Sequence, residues 1–282
     1  MKNSIYCIIV SFLLVTAGAG RSSSLIEYED TFETEKQKLK VELDIDAAEL
    51  EVRSNTSGTK CRVYVRYDKD NCDTDVRFNP ERSTLYVSTD SDIWNMGDDA
   101  HNKAPLVIID LPTNPEIELE ARIKAGEIDL KFDEINLTEF ELRNWAGETT
   151  IEFAKPNKSL MKSFDVNCKV GEVKLLKLGN ARFEEADINS GIGELTVDFS
   201  GDLPKKVMAR IDLDLGETQI NIPEKFATKL RVSKSFIVAE IGISDWFKKE
   251  GNYYYSTNYR TAENSLYLII TTGLGELSID SI

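Results

Sequence analysis

The sequence predicts an all-β fold: a single β-solenoid of stacked 21–24-residue repeats, each a strand, a glycine corner and a second strand. Three observations carry this expectation. A short pattern, apolar-Gly-Glu, recurs around Gly126, Gly147, Gly171, Gly193, Gly216 and Gly275. The first five of these glycines are spaced by 21, 24, 22 and 23 residues. A period in the twenties marks units that cannot bury an apolar face alone and must stack to do so. Finally, the hydrophobic alternation changes parity at each glycine.

Around Gly216 the parity change is easy to follow. Val207, Ala209, Ile211, Leu213 and Leu215 are apolar at odd positions, then Thr218, Ile220 and Ile222 follow at even ones. The same switch separates Ala186, Ile188 and Ile192 from Leu195, Val197 and Phe199, and Leu266, Leu268, Ile270 and Leu274 from Leu277 and Ile279. Strict alternation is the mark of a half-buried strand. A one-residue slip would turn the second strand's apolar set outward unless the chain bends or bulges at the small residue. This reading places Leu215, Ile192 and Leu274 with the inward set and the Glu after each Gly outward. Regular spacing favours a solenoid over a sandwich, whose strands come at shorter intervals with hairpin turns.

Taken in order, residues 1–19 read as a secretory signal peptide. Lys2 supplies the charged start, Ile5 to Val15 the apolar stretch and Ala17-Gly18-Ala19 the cleavage site, with cleavage expected after Ala19. No later apolar stretch is long enough to span a membrane as a helix, so the expected location is extracytoplasmic, periplasmic or secreted. Residues 20–38 read as a polar leader in which Tyr28 and Phe32 either add a strand or stay loose. One domain is expected over 39–282. It begins with an irregular part at 39–112, where Ala48-Glu49 is a degenerate corner after Leu39, Val41, Leu43 and Ile45. Strands are expected there at Cys61–Tyr67, Val76–Phe78, Thr84–Ser88 and Leu106–Leu111, with a polar loop from Thr89 to Ala104 holding Trp94, Met96 and His101. Regular repeats follow at 113–244, closing on a second degenerate copy at Ala239-Glu240. An aromatic insertion at 245–264 and a final repeat at 265–282 end the chain.

The chain carries 34 basic and 49 acidic residues, net charge −15. That balance excludes nucleic-acid binding and docking on anionic lipid, both of which select basic patches. His101 is the only histidine and has no nucleophile signature around it, so Ser-His-Asp and Cys-His chemistry is not supported. No phosphate loop or dinucleotide fingerprint occurs. The acidic stretch Asp68 to Asp75 lacks the glycine and closing glutamate of an EF-hand. No metal-ligand spacing is present, and no cofactor is expected. Cys61 and Cys72, eleven residues apart, are the candidate disulfide pair of an oxidising compartment. Cys168 shares the parity of Val166 and Val170 and is expected as a small buried residue. The repeated Glu is expected to lie exposed in a ladder, a calcium ladder being the alternative. Trp246, Phe247, Tyr253, Tyr254, Tyr255 and Tyr259 form either a packed cap over the solenoid end or a binding surface.

These residues resemble a known family. The run Leu106 to Pro112, Ile117 to Leu130 with Ala125-Gly126-Glu127, the repeated Gly-Glu corners, and the ending from Tyr255 to Tyr259 through Gly275 look like the toast-rack domain of bacterial envelope proteins. Related groups are the LiaF-like C-terminal domain and the so-called putative adhesin domain of unknown function. The resemblance implies a β-solenoid outside the cytoplasm, often linked to envelope-stress sensing, with no catalytic residues to transfer. The expectation is therefore a non-enzymatic exported binding or scaffolding module with an envelope protein partner. The alternative is a surface adhesin or glycan-binding protein using 245–264.

Overall fold

A computed structural model describes residues 24–34, 37–91, 104–234 and 240–282. The expected signal peptide and its cleavage site, the loop residues Trp94, Met96 and His101, and the small residue Ala239 lie outside the described residues.

Among the described residues the regular structure is β apart from a 3-10 turn at Leu178–Ala181. Its N-terminal elements are β1 (Leu25–Glu33), β2 (Lys38–Ser54), β3 (Lys60–Asp68), β4 (Cys72–Asn79), β5 (Thr84–Ser91) and β6 (Leu106–Leu111). The central ones are β7 (Glu116–Phe132), β8 (Leu137–Phe153), β9 (Met161–Leu176), β10 (Phe183–Asp198) and β11 (Lys206–Ile222). The C-terminal ones are β12 (Ala227–Lys234), β13 (Glu240–Ile243), β14 (Phe247–Glu250), β15 (Tyr253–Ser256) and β16 (Ser265–Ser281).

Each full coil is one long strand bent at its small residue into two arms. β2, β7, β8, β9, β10 and β11 stack in parallel and in register, so that Ile188 lies on Ile211, Gly193 on Gly216 and Val197 on Ile220. All belong to one continuous sheet, first arms pairing with first arms and second with second, and the inward side chains of both sets of arms pack into one core. Its spine is aromatic: Phe140 stacks on Phe164 at 5.0 Å, Phe164 on Phe183 at 5.9 Å, and Phe132 meets Phe153 at 5.1 Å. In the return loops buried asparagines satisfy backbone groups. Asn157 accepts from the Leu137 amide at 2.9 Å and donates to its carbonyl at 2.8 Å, as buried backbone requires.

The all-β solenoid expectation holds, with four corrections. The stretch read as a polar leader contains β1, an edge strand antiparallel to β3, with Tyr28 and Phe32 packed on the core. Fold therefore begins at Leu25 rather than Leu39. Second, β2 is a complete coil in register with β7, Ala48 lying on Gly126, so the irregular part consists of the strands that extend it. Third, space and sequence part company at the C-terminal end. The final repeat, β16, pairs with β11 on one side and with β12 and β13 on the other. Glu240, the described residue of the degenerate copy, is thus on the outer side of the last repeat.

The fourth correction concerns the corner itself. The inward set before Gly193 ends at Ser190, which is buried, and resumes at Leu195; Ile192 is exposed. Gly191 and Asp214 fall outside the pairing register between β10 and β11. The extra residue sits two positions before the corner glycine, so the parity slips there, and Val170, Ile192, Leu215 and Leu274 turn outward.

Candidate functional site

Two surfaces gather chemistry-bearing side chains. The first is the outer face of the first arms at their C-terminal end, where the β14–β15 hairpin extends the sheet beyond β12. Strand alternation divides the aromatic insertion in two. Phe247 joins the core, and Trp246 and Tyr254 pack against it. Tyr253, Tyr255 and Tyr259 instead meet outside, with Tyr253 and Tyr255 rings 6.2 Å apart and Tyr255 edge-on to Tyr259 at 4.8 Å. Lys229 of β12 stands among them. Its Nζ is 3.9 Å from the Tyr253 ring, 5.0 Å from Tyr267 and 5.9 Å from Tyr255, a cation held by aromatic faces. Lys248 and Arg231 lie exposed nearby in sequence register with this face. The six expected aromatic residues are thus three core and three surface residues. Sequence reasoning missed Lys229 and Tyr267, because only the β12–β16 pairing brings them to the insertion.

The second surface is the corner edge. Every corner glycine has positive φ, Gly193 at +138°. A Cβ on Gly193 would lie 1.9 Å from the Gly171 carbonyl oxygen of the preceding coil. Positive φ and the close backbone approach both select glycine there. The following glutamates, Glu127, Glu148, Glu172, Glu194, Glu217 and Glu276, form a row along the stack, mostly exposed as expected. Lys174 pairs with Glu172 at 2.5 Å, with Glu148 and Glu194 also in electrostatic reach. Among the described residues no group of three or more His, Cys, Asp or Glu is placed to hold a metal ion.

The remaining outer face of the first arms is acidic. Glu42, Glu120, Glu141, Asp165 and Asp187 stack in one register column. Lys40 pairs with Glu42 and Glu120, Arg143 with Glu141, and Arg210 with Asp187. Asp165 is pushed above the usual carboxylate range, first by burial and then by Asp187 and Glu141.

A family model for the N-terminal domain of toast_rack, DUF2154, matches residues 17–175 and 155–221. The chain belongs to this family. No match is found among curated proteins. Solved structures similar to this toast-rack chain include a "putative cell adhesion protein" from Clostridium sporogenes, 16% identical, covering 92% of this chain and 100% of that one, TM-score 0.46. Another is a "putative adhesin" from Bacteroides fragilis, 13% identical over 92% of this chain and 98% of that one, TM-score 0.38. A third is a "putative lipid binding protein" from Parabacteroides distasonis, 11% identical over 90% and 96%, TM-score 0.29.

The toast-rack coils also decide the cysteines. Cys61, Cys72 and Cys168 are free and buried, so the expected Cys61–Cys72 disulfide is absent. Cys61 lies at the start of β3 and Cys72 opens β4, just past the far end of β3, on the order of 20 Å away at strand rise, whereas a bridge needs Cα atoms within about 7 Å. Burial pushes the Cys61 thiol up to about 12, with Asp110 adding to it. It pushes Cys72 and Cys168 up to about 11. Cys168 donates weakly to Thr149 Oγ1 at 3.8 Å, which also accepts from Asn144 at 3.1 Å. No helix among the described residues is long and apolar enough to cross a membrane.

Proposed function

We propose that this toast-rack chain is a non-enzymatic, extracytoplasmic binding module of the cell envelope that engages a protein partner through its C-terminal outer face. The observation that carries the reading is the cluster of Tyr253, Tyr255, Tyr259 and Tyr267 around Lys229. Tyrosine offers large contact area at small entropic cost, and clustered aromatics with a cation are what protein interfaces enrich. The patch is basic and aromatic on a chain of net charge −15, which suits an acidic partner surface. Support for a non-enzymatic role comes from the interior, which is filled by aliphatic and phenylalanine side chains in coil after coil. A catalytic pocket needs polar groups converging in a desolvated concavity. Export is argued from the leader sequence, and a link to envelope stress from the resemblance.

A triple variant, Tyr253→Ala, Tyr255→Ala and Tyr259→Ala, tests the reading, because these side chains lie outside the core. Crosslinking in the native envelope should lose the partner while circular dichroism stays unchanged. Undiminished recovery would move the contact off this face. A neutral glycan bound by the native chain and lost by the triple variant would establish the adhesin alternative instead. The rings are tilted 51° and 64° to one another rather than coplanar, which offers a sugar no flat platform.

A further inference from the structure

The corner edge carries a feature independent of the tyrosine patch. Val170 and Ile192 are 49% exposed, Leu215 43% and Leu274 40%. Each lies in register with the next, continuing from Ala146 through Val170, Ile192 and Leu215 to Leu274. Isolated exposed apolar residues are ordinary, but an unbroken column is a patch. Trp145, 65% exposed, stands beside its start. Folding does not require the bulk. Ala125 and Ala146 fill the same corner position in β7 and β8, so a methyl group satisfies the backbone geometry.

The flanking chemistry narrows what such a ridge could receive. The ridge residue and the Glu two positions later share the outer side of the strand, about 7 Å apart. A carboxylate row therefore runs alongside the apolar column over its whole length. Stacked like charges are unfavourable, and Lys174 answers them only in the middle. A second copy docking ridge to ridge would set carboxylates against carboxylates. Anionic lipid is repelled for the same reason. The complementary surface is an apolar stripe bordered by Lys or Arg.

Spacing selects the shape of that stripe. Ridge residues repeat about every 4.8 Å along the stack. A helix presents one residue per turn every 5.4 Å or so, whereas same-face residues of an extended strand are about 6.7 Å apart. From Ala146 to Leu274 the ridge is about 19 Å long, which a helix of about 13 residues covers.

We propose that the corner edge from Ala146 to Leu274 is a docking surface for a basic amphipathic α-helix of a partner protein. The helix lays its aliphatic stripe on Val170, Ile192, Leu215 and Leu274. Its Lys and Arg side chains meet Glu148, Glu194, Glu217 and Glu276. The site does not depend on the tyrosine patch and can stand or fall without it.

The probe is a capped, labelled 15-residue helical peptide with one leucine per turn on one face and lysines flanking it; its counterpart carries glutamates. Fluorescence anisotropy should show the lysine peptide binding and the glutamate peptide not. A Val170→Ala, Ile192→Ala and Leu215→Ala variant, which installs the residue β7 and β8 already carry, should bind at least tenfold more weakly. A Glu148→Gln, Glu194→Gln and Glu217→Gln variant should weaken similarly and lose the salt dependence. The proposal is overturned if the alanine variant binds as the native chain does, since charge alone would then explain the binding. It is also overturned if the glutamate peptide binds equally, or if sedimentation finds a dimer that the alanine variant abolishes. Phosphatidylglycerol vesicles captured through the same residues would overturn it as well. If the alanine variant melts below the assay temperature, the glutamine variant decides.

Discussion

The central coils β7 to β11 and the two ends of the stack use the same repeat under different constraints. In the centre each corner residue lies on another coil's backbone. Gly193 is closed off by the Gly171 carbonyl, and Gly216 by the Gly193 carbonyl at 1.8 Å from a built Cβ. At the N-terminal end β5 pairs only as far as Ile45 of β2, and β6 takes up again at Glu49. Among the described residues no strand pairs with Ala48 on that side, and its φ is not positive. The comparison teaches that glycine serves the stacking of one coil on the next more than the bend itself. The first coil, whose corner φ is not positive, carries alanine there.

The largest test of that contrast is Gly193→Val. Positive-φ strain and overpacking against backbone each cost about 1–3 kcal/mol, so a loss on the order of 5 kcal/mol or failure to fold is expected. Gly251→Ala also has positive φ, +62°, but nothing within 4 Å, and should cost about 1 kcal/mol. Urea melts of the two variants that coincide would sink the stacking argument. Phe164→Ala comes next. It removes the middle ring of the Phe140–Phe164–Phe183 stack and should cost about 4 kcal/mol, whereas Tyr255→Ala on the terminal patch should cost well under half of that.

The thiols sharpen the comparison from inside. With Cys61 pushed up to about 12 and Cys72 and Cys168 to about 11 by burial, none should react with a disulfide reagent near pH 8 in the folded chain. All three should react in denaturant without reductant. Two missing thiols under those conditions would restore the bridge.

Charge gives the smaller effects. Burial raises Asp165 in the folded chain, so folding favours its protonated form. Stability is then lost as pH rises from the unfolded carboxylate value through the raised one. Asp165→Asn should therefore raise the melting temperature at pH 7 and leave it nearly unchanged near pH 3. An equal gain at both would mean the effect is not titration. Glu194→Gln should change stability by no more than about 0.5 kcal/mol, and a larger loss would show that the carboxylate row is structurally paired.

Much of the fold was legible because its signals are local. The glycine period, the Gly-Glu pairs and the alternation of Val207 to Leu213 or Leu195 to Phe199 each report strand and corner without reference to distant residues. The ridge was misread because parity was counted through the corner. Leu215 looks inward by number, yet the bulge at Asp214 shifts it out. The tyrosine patch was half legible: composition marked 245–264, but alternation on a short hairpin sends Phe247 and Tyr254 in and Tyr253 and Tyr255 out.

By itself the sequence determined the repeat, the all-β class, the corner glycines and the acidic character, because these follow from residue type and spacing along one coil. Only the tertiary structure decided which coil lies on which. It set β16 between β11 and β12, brought Tyr267 and Lys229 to the insertion, separated Cys61 from Cys72, and lined up Val170, Ile192, Leu215 and Leu274. The physical reason is that each coil presents nearly the same edge to its neighbours. Any coil can pair with any other as far as local pattern is concerned, and the order is settled by the burial and pairing of the whole stack.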